Sequence, residues 1–212
     1  MKIEIKSQML GRVRFVAEIP DDPLESRIRR ALEQAVNQRA NLVGVNLADA
    51  DLVDAALPGA NLRDAHLVGA DLSGANISGA NLFGADLSGA DLSGADLSGA
   101  NLAHAVLDGV DLTDAELAGA TYGEGILMSR PPIRITGLRW FIMIFDAHIK
   151  IGCEMHSIND WFSFSDSRIA EMDSYNANPR EWNAWKETLR MICKAGGRII
   201  DERNQILSMR SE

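Results

Sequence analysis

Between residues 40 and 122 the chain has a single basic residue, Arg63, against twelve Asp and Glu. A surface of that sign repels phosphate, so direct binding of nucleic acid is excluded and a basic protein surface is the favoured partner. Cysteine is scarce: Cys153 and Cys193 give no disulfide framework, as expected in a reducing compartment. Long hydrophobic runs are missing too. The longest apolar stretch, residues 140–145, is too short to cross a bilayer, and the N-terminus has no signal-peptide core. These absences place the protein in the cytoplasm, away from membranes. Aromatic side chains are also thin in the middle of the chain, and all four Trp lie beyond residue 122. No Gly-rich phosphate loop, Ser-centred elbow or paired-carboxylate motif occurs, so nothing in the sequence nominates a catalytic residue or a cofactor.

What the middle does have is a five-residue unit, Ala-(Asp/Asn)-Leu-x-(Gly/Asp), repeated from Ala40 to about Tyr122. Its centre is Leu in every regular unit from Leu42 to Leu117 except Ile77, and Ala stands two residues earlier except at Val45 and Val110. A period of five matches neither the 3.6 of a helix nor the 2.0 of a strand, so neither element keeps these leucines on one face. A turning coil does. The run resembles the pentapeptide-repeat family, in which four units make one coil of a right-handed quadrilateral β-helix. The resemblance implies that Leu and Ala point inward and the other three positions outward, about twenty residues per coil.

At twenty residues per coil, the outward position before each Leu falls into four columns. One reads Asp51, Asp71, Asp91, Asp111; another reads Asn41, Asn61, Asn81, Asn101. The remaining two are Asn46, His66, Asp86, Val106, and Ala56, Asn76, Asp96, Glu116. At the inter-strand spacing of ~4.8 Å, neighbouring carboxylates repel by only about 0.9 kcal/mol in water. Short Asp and Asn side chains also suit tight turns for local reasons. Duplication of near-identical units does not, however, segregate Asn from Asp by face. The net charge of residues 40–122 is −11, against +2 for residues 1–39 and zero for residues 123–212. Over a rod of about 20 Å, that is one charge per ~1.8 Å, close to the ≈ 1.7 Å of duplex DNA. Asp51, Asp71, Asp91, Asp111, Asp86, Asp96 and Glu116 are therefore the candidate partner-binding residues.

The flanks read as ordinary globular sequence. Ile3 and Ile5, then Val13, Phe15 and Ile19, alternate with polar residues around a turn at residues 7–11, which predicts a hairpin. Asp22 as N-cap and Pro23 at the first helical position open a helix whose apolar stripe is Leu24, Ile28, Ala31, Leu32, Ala35 and Val36. An open β-helix end exposes core and unpaired backbone, so residues 1–39 are expected to cap it. Residues 123–132 read as a linker. Residues 133–212 read as a small α+β domain: strands over 133–138, 140–145 and 148–153, then helices begun at Ser157 with Asp160, at Asp166 running to Met172, and at Pro179. The last places Trp182, Trp185, Leu189 and Ile192 on one face and stops at Gly196-Gly197. His148, Cys153, Glu154 and His156 lack metal-ligand spacing, so no metal site is assigned.

The segments Ile151-Gly152-Cys153 with Trp161, Ile169 to Met172, and the opening Met1 to Lys6 resemble modules of tailed-phage proteins. The expected function is then that of a non-enzymatic, phage-encoded interaction protein. Its acidic rod mimics DNA and modulates a basic, DNA-binding host protein such as a topoisomerase, nuclease or defence factor. The topoisomerase option follows from the resemblance, since the family includes proteins that protect DNA gyrase. The alternative is an assembly module in which the β-helix is a spacer and the C-terminal domain binds; a homodimer is left open.

Overall fold

Each five-residue unit forms a turn because its fifth residue adopts a left-handed backbone. The structure, a computed structural model, describes residues 2–9, 11–19, 24–123, 126–129, 131–135, 142–151, 154–171, 179–196 and 198. Within it φ is near +65° at most of the repeat glycines and +54° to +59° at Asp49, Asp54, Asp64, His104 and Asp114. The Ala N–H of the next unit donates to the Leu C=O, as from Ala55 to Leu52 at 3.0 Å. Positive φ at the third turn position, with negative φ at the second, is the type II pattern. Gly takes that position without steric cost, and Asp is among the few other residues that tolerate it.

Successive turns pile up with a register of twenty. Parallel bridges join Asp51 to Asp71, Asp71 to Asp91 and Asp91 to Asp111, and equivalent bridges run through the other three columns. Each contact is a single bridge per side, widening only where β3 (Asn101–Leu102) pairs in parallel with β4 (Ala120–Tyr122). Leu42 to Leu117 and the alanines two residues before them fill the interior, nearly all with no more than a few per cent of their surface exposed. The inward register expected from the sequence is the observed one.

Chain before and after the coils adds to this unit, which spans Met1–Pro131. β1 (Lys2–Lys6) and β2 (Val13–Glu18) form an antiparallel hairpin with a bulge between Ile5 and Lys6. Helix α1 (Leu24–Asn37) buries Ala31, Leu32 and Ala35; its expected caps, Asp22 and Pro23, lie outside the described residues. The first coil has no preceding coil to hydrogen-bond with, and these elements take that place. Asn46 N–H donates to the Lys6 C=O (2.8 Å) and Gln8 N–H to the Gly44 C=O (2.9 Å). Arg29 Nη1 donates to the Val53 C=O (2.6 Å), and Ala56 N–H to Glu33 Oε1 (3.0 Å). At the other end β5 (Ile126–Met128) runs antiparallel to β4. It lies in the stretch expected to be linker, which is a correction: pairing with the last coil gives its backbone partners that a solvated linker would lack.

The second compact unit spans Pro132–Glu212. Its sheet, in the order β6 (Ile133–Ile135), β7 (Ile142–Ile144), β8 (His148–Ile151) and β9 (Glu154–Ser157), is antiparallel throughout. The fourth strand was not expected. Three helices follow: α2 (Ile158–Ser163), α3 (Asp166–Glu171) and α4 (Pro179–Ala195). Ser157 caps α2 by accepting the Asp160 N–H at 3.0 Å, as its spacing predicts. For α3 the capping side chain is Ser165, one residue before Asp166, accepting the Arg168 N–H at 3.3 Å. Met172 and Trp140 lie outside the described residues. On α4 the buried face is Trp182, Leu189 and Cys193, while Trp185 is 36% exposed, correcting the expected stripe. A helix turns 100° per residue, and the face set by positions 182, 189 and 193 leaves 185 at its margin.

Cys193 is fully buried and in no disulfide, and burial pushes its thiol up to about 11, with nearby Arg198 and a backbone hydrogen bond acting in the opposite sense. The thiolate is the reactive form. Cys193 should therefore resist alkylation in the native protein at neutral pH and react once denaturant unfolds the domain; labelling at equal rates in both states would contradict this packing.

A candidate acidic face

From His66 to Glu116 the residue before each Leu or Ile centre gives both its backbone groups to the preceding coil: Asp71 N–H bonds the Ala50 C=O (3.0 Å) and its C=O accepts from Leu52 N–H (2.7 Å). Its side chain must then point outward. Asp51 is exposed, and Asp71, Asp91 and Asp111 are half-buried in one line.

One carboxylate oxygen of each is occupied locally. Oδ1 accepts the N–H two residues on, at 3.3 Å for Asp51, 3.0 Å for Asp71, 2.8 Å for Asp91 and 2.9 Å for Asp111. The Ser73 and Thr113 hydroxyls add donors to Asp71 and Asp111. Asn does the same work: Asn81 Oδ1 accepts from Phe83 N–H (3.2 Å) and Asn101 Oδ1 from Ala103 N–H (3.0 Å). The amide also links coils: Asn101 Nδ2 donates to Asn81 Oδ1 at 3.4 Å, and Asn101 Oδ1 accepts from the Thr121 hydroxyl at 3.4 Å. Turn geometry thus explains a short oxygen acceptor at each position. It does not explain charge in one column and its absence in another.

The other candidate residues flank this line. Asp86 follows His66 on one neighbouring side, with His66 Nδ1 3.9 Å from Asp86 Oδ2. The Ser88 hydroxyl (2.6 Å), the Ser88 N–H and His66 hold the Asp86 carboxyl below its ordinary value, against a smaller opposing effect of burial. The stability this contributes is present above the ordinary carboxylate range and is lost as pH falls through the lowered value. Asp96 and Glu116 are bridged on the other neighbouring side, and Asp96 Oδ1 accepts the Ser98 N–H at 2.8 Å.

Sequence reasoning missed the corners. Asp49 and Asp108 lie where the chain turns onto the Asp side, and Asp54 and Asp114 where it leaves it. Their signal was the fourth or fifth position of the unit, where Asp interrupts a run of Ser and Gly. Of the twelve carboxylates in residues 40–122, eleven fall on the Asp side, the two sides flanking it, and the corners between. The twelfth, Asp64, sits at the corner after the Asn side and pairs with Arg63 at 3.1 Å. Arg63 in turn lies 4.4 Å over the Phe83 ring, which is 4.9 Å from His104. The coil is charged on one half and close to neutral on the diagonally opposite edge.

In the second unit His156 Nε2 is 3.0 Å from Glu154 Oε2 and packs edge-on against Trp161 and Phe164. Burial lowers the pKa of His148, while Asp160 works the other way. Cys153 lies outside the described residues. Among the described residues no three of His, Cys, Asp and Glu are grouped as metal ligands, and no helix is long and apolar enough to cross a membrane.

A family model for pentapeptide repeats matches residues 40–79 and 80–119. No curated protein matches the chain significantly. Among solved structures, HetL, a pentapeptide repeat protein involved in heterocyst differentiation regulation in Nostoc sp. strain PCC 7120, is 43% identical over 41% of this chain and 42% of its own, with a TM-score of 0.32. A second pentapeptide repeat protein of Nostoc PCC 7120 is 36% identical over 36% of this chain and 75% of its own (TM-score 0.31). One from the Arabidopsis thaliana thylakoid lumen is 38% identical over 41% and 57% (TM-score 0.29). The match therefore spans less than half of HetL, three quarters of the second protein and little more than half of the third.

Proposed function

Because the chain belongs to the pentapeptide-repeat family through residues 40–119, whose units wind a right-handed β-helix, we propose that it is a non-enzymatic interaction protein whose acidic face occupies the nucleic-acid site of a basic partner. The observation that carries this reading is the column Asp51, Asp71, Asp91, Asp111. Asn would complete the same turns there, as it does on the opposite side, so the feature left for Asp to supply is charge. Summed over a surface, such charge steers a basic partner and competes with phosphate. The partner is a DNA-handling protein of the host cytoplasm, a topoisomerase, nuclease or defence factor, and we read the chain as phage-encoded on its resemblance to tailed-phage modules. Residues 1–39 act as the cap of the first coil, and residues 133–212 form a separate domain.

Changing all four column residues to Asn should leave the melting temperature within a few degrees of the parent and weaken partner binding at least tenfold. The parent's affinity should fall as salt rises, with duplex DNA competing for the same partner site. Unchanged affinity and salt dependence in the Asn variant would refute the acidic-face reading. Binding would then pass to the second unit, where Trp185 and Met191 of α4 are exposed.

A further inference from the structure

The hairpin that replaces the missing coil ends in an edge of its own. β1 is held on both sides, by β2 on one and by the first coil on the other, where the Lys6 C=O accepts the Asn46 N–H. Among the described residues β2 pairs with β1 alone. In an antiparallel pair, residues alternately direct their backbone groups toward the partner strand and away from it. Glu18 directs its N–H away from β1, to Gln34 Oε1 at 3.2 Å. Val16, two residues earlier and opposite Glu4, therefore directs its N–H and C=O to the same outer edge, and its side chain is exposed. Lys6 on β1 agrees with this alternation, since its C=O also turns away from β2.

Beside that edge lies a groove of about 600 Å³ between the end of β2, helix α1 and the first coil. Its lining includes the carboxylates of Glu18, which Lys2 approaches to 3.5 Å, of Glu33, which accepts the Ala56 N–H, and of Asp54, against the guanidinium groups of Arg29 and Arg30. Arg29 is already bound to the Val53 C=O. Gln34, which also lines the groove, presents an amide oxygen to Glu18 where the carbonyl of an added strand would lie.

We propose that the outer edge of β2 accepts an extended, lysine- or arginine-bearing segment of the partner protein as a third strand lying along this groove. Backbone pairing to Val16 and Glu18 supplies the docking, with Gln34 swinging aside, and the groove's carboxylates select the charge of the segment's side chains. Asp54 belongs both to this groove and to the corner of the acidic face, so a partner seated on one is led onto the other. The bulge near Arg14 limits pairing at the far end of β2. The basic character assigned to the segment rests on the acidic-face reading; the backbone pairing does not.

The test uses the full chain and two blocked heptapeptides, one alternating lysine with valine and the other glutamate with valine. With the lysine peptide, amide exchange at Val16 and Glu18 should slow, and binding should be about tenfold tighter than for the glutamate peptide. Val16→Pro removes an outward N–H without touching the pairs to β1 and should abolish binding. Should Val16→Pro unfold the hairpin, Gln34→Ala serves instead: it vacates the Glu18 N–H and should strengthen binding several-fold. Slowed exchange confined to α1, or binding unaffected by Val16→Pro in a folded protein and by Gln34→Ala, would overturn the proposal. So would a concentration-dependent dimer that Val16→Pro dissolves, because the edge would then serve a second copy. The two readings fail separately: the fourfold Asn variant should still bind the lysine peptide even if it loses the partner, whereas equal binding of both peptides with Val16 protected would remove the charge preference and keep the strand addition.

Discussion

Leu87→Asp should abolish cooperative unfolding of the coils. Leu87 has no exposed surface, and its neighbours along the axis, Leu67 and Leu107, are equally enclosed. No cation is available inside the stack, since the interior positions are Leu, Ile, Ala, Val and Tyr throughout. A buried, unpaired carboxylate costs at least about 3 kcal/mol, a large fraction of the 5–15 kcal/mol typical of a domain. Nor can the chain relax outward at this point, because the Leu87 N–H is committed to the Val106 C=O and its C=O to the Ala90 N–H. The measurement is thermal or urea unfolding followed by circular dichroism. A parent-like transition in the variant would show that Leu87 can leave the interior.

Removing residues 1–37 should be as damaging, for a different reason. The truncation takes away no residue of any coil, yet it leaves Leu42, Val45 and Leu47 of the first coil without cover. It also removes five partners of the first coil's backbone: the Lys6 C=O, the Gln8 N–H, the Ala35 C=O, Arg29 and Glu33. An exposed row of unpaired backbone beside apolar surface is a template for edge association. The shortened chain should therefore aggregate or form large assemblies on size-exclusion chromatography while the parent elutes as a discrete species. A soluble, parent-sized product with an unchanged melting temperature would show that residues 1–37 are dispensable to the coils.

The coils were legible because one short period carries all the required information. Leu and Ala give the interior, Gly or Asp gives the left-handed turn residue, and the multiple of five sets the columns. The second unit was harder to read because its strands are short and their pairing is non-local. β9 follows β8 after only two residues, 152 and 153, so the sequence reads a single strand over 148–153 and leaves 154–156 unassigned before the helix begun at Ser157. Likewise β5 has three residues, too few for a periodic signal, and owes its conformation to β4. At the candidate site the Asp column was visible from the sequence. The corner carboxylates were passed over as turn residues, and that description is also true of them: Asp54 has φ of +56° and stands where Gly stands elsewhere. A residue serving the turn and the field together has no distinct signature in one sequence. The edge of β2 was invisible for another reason, since an open edge is defined by what fails to pair with it.

The twenty-residue register carries a rule for how this chain can change length. Loss or gain of a single unit leaves every turn intact, because the Leu C=O of each unit accepts the N–H that opens whichever unit follows it. Everything downstream, however, rotates by a quarter turn. If five residues were deleted between Gly74 and Asp91, Asp91 and Asp111 would continue a different side from Asp51 and Asp71. The coils would remain sound while the acidic line broke in two. Lineages that keep the line continuous must therefore lengthen or shorten by whole coils, or balance one unit lost with another gained nearby, whereas lineages using the coils only as a spacer are free to drift by single units.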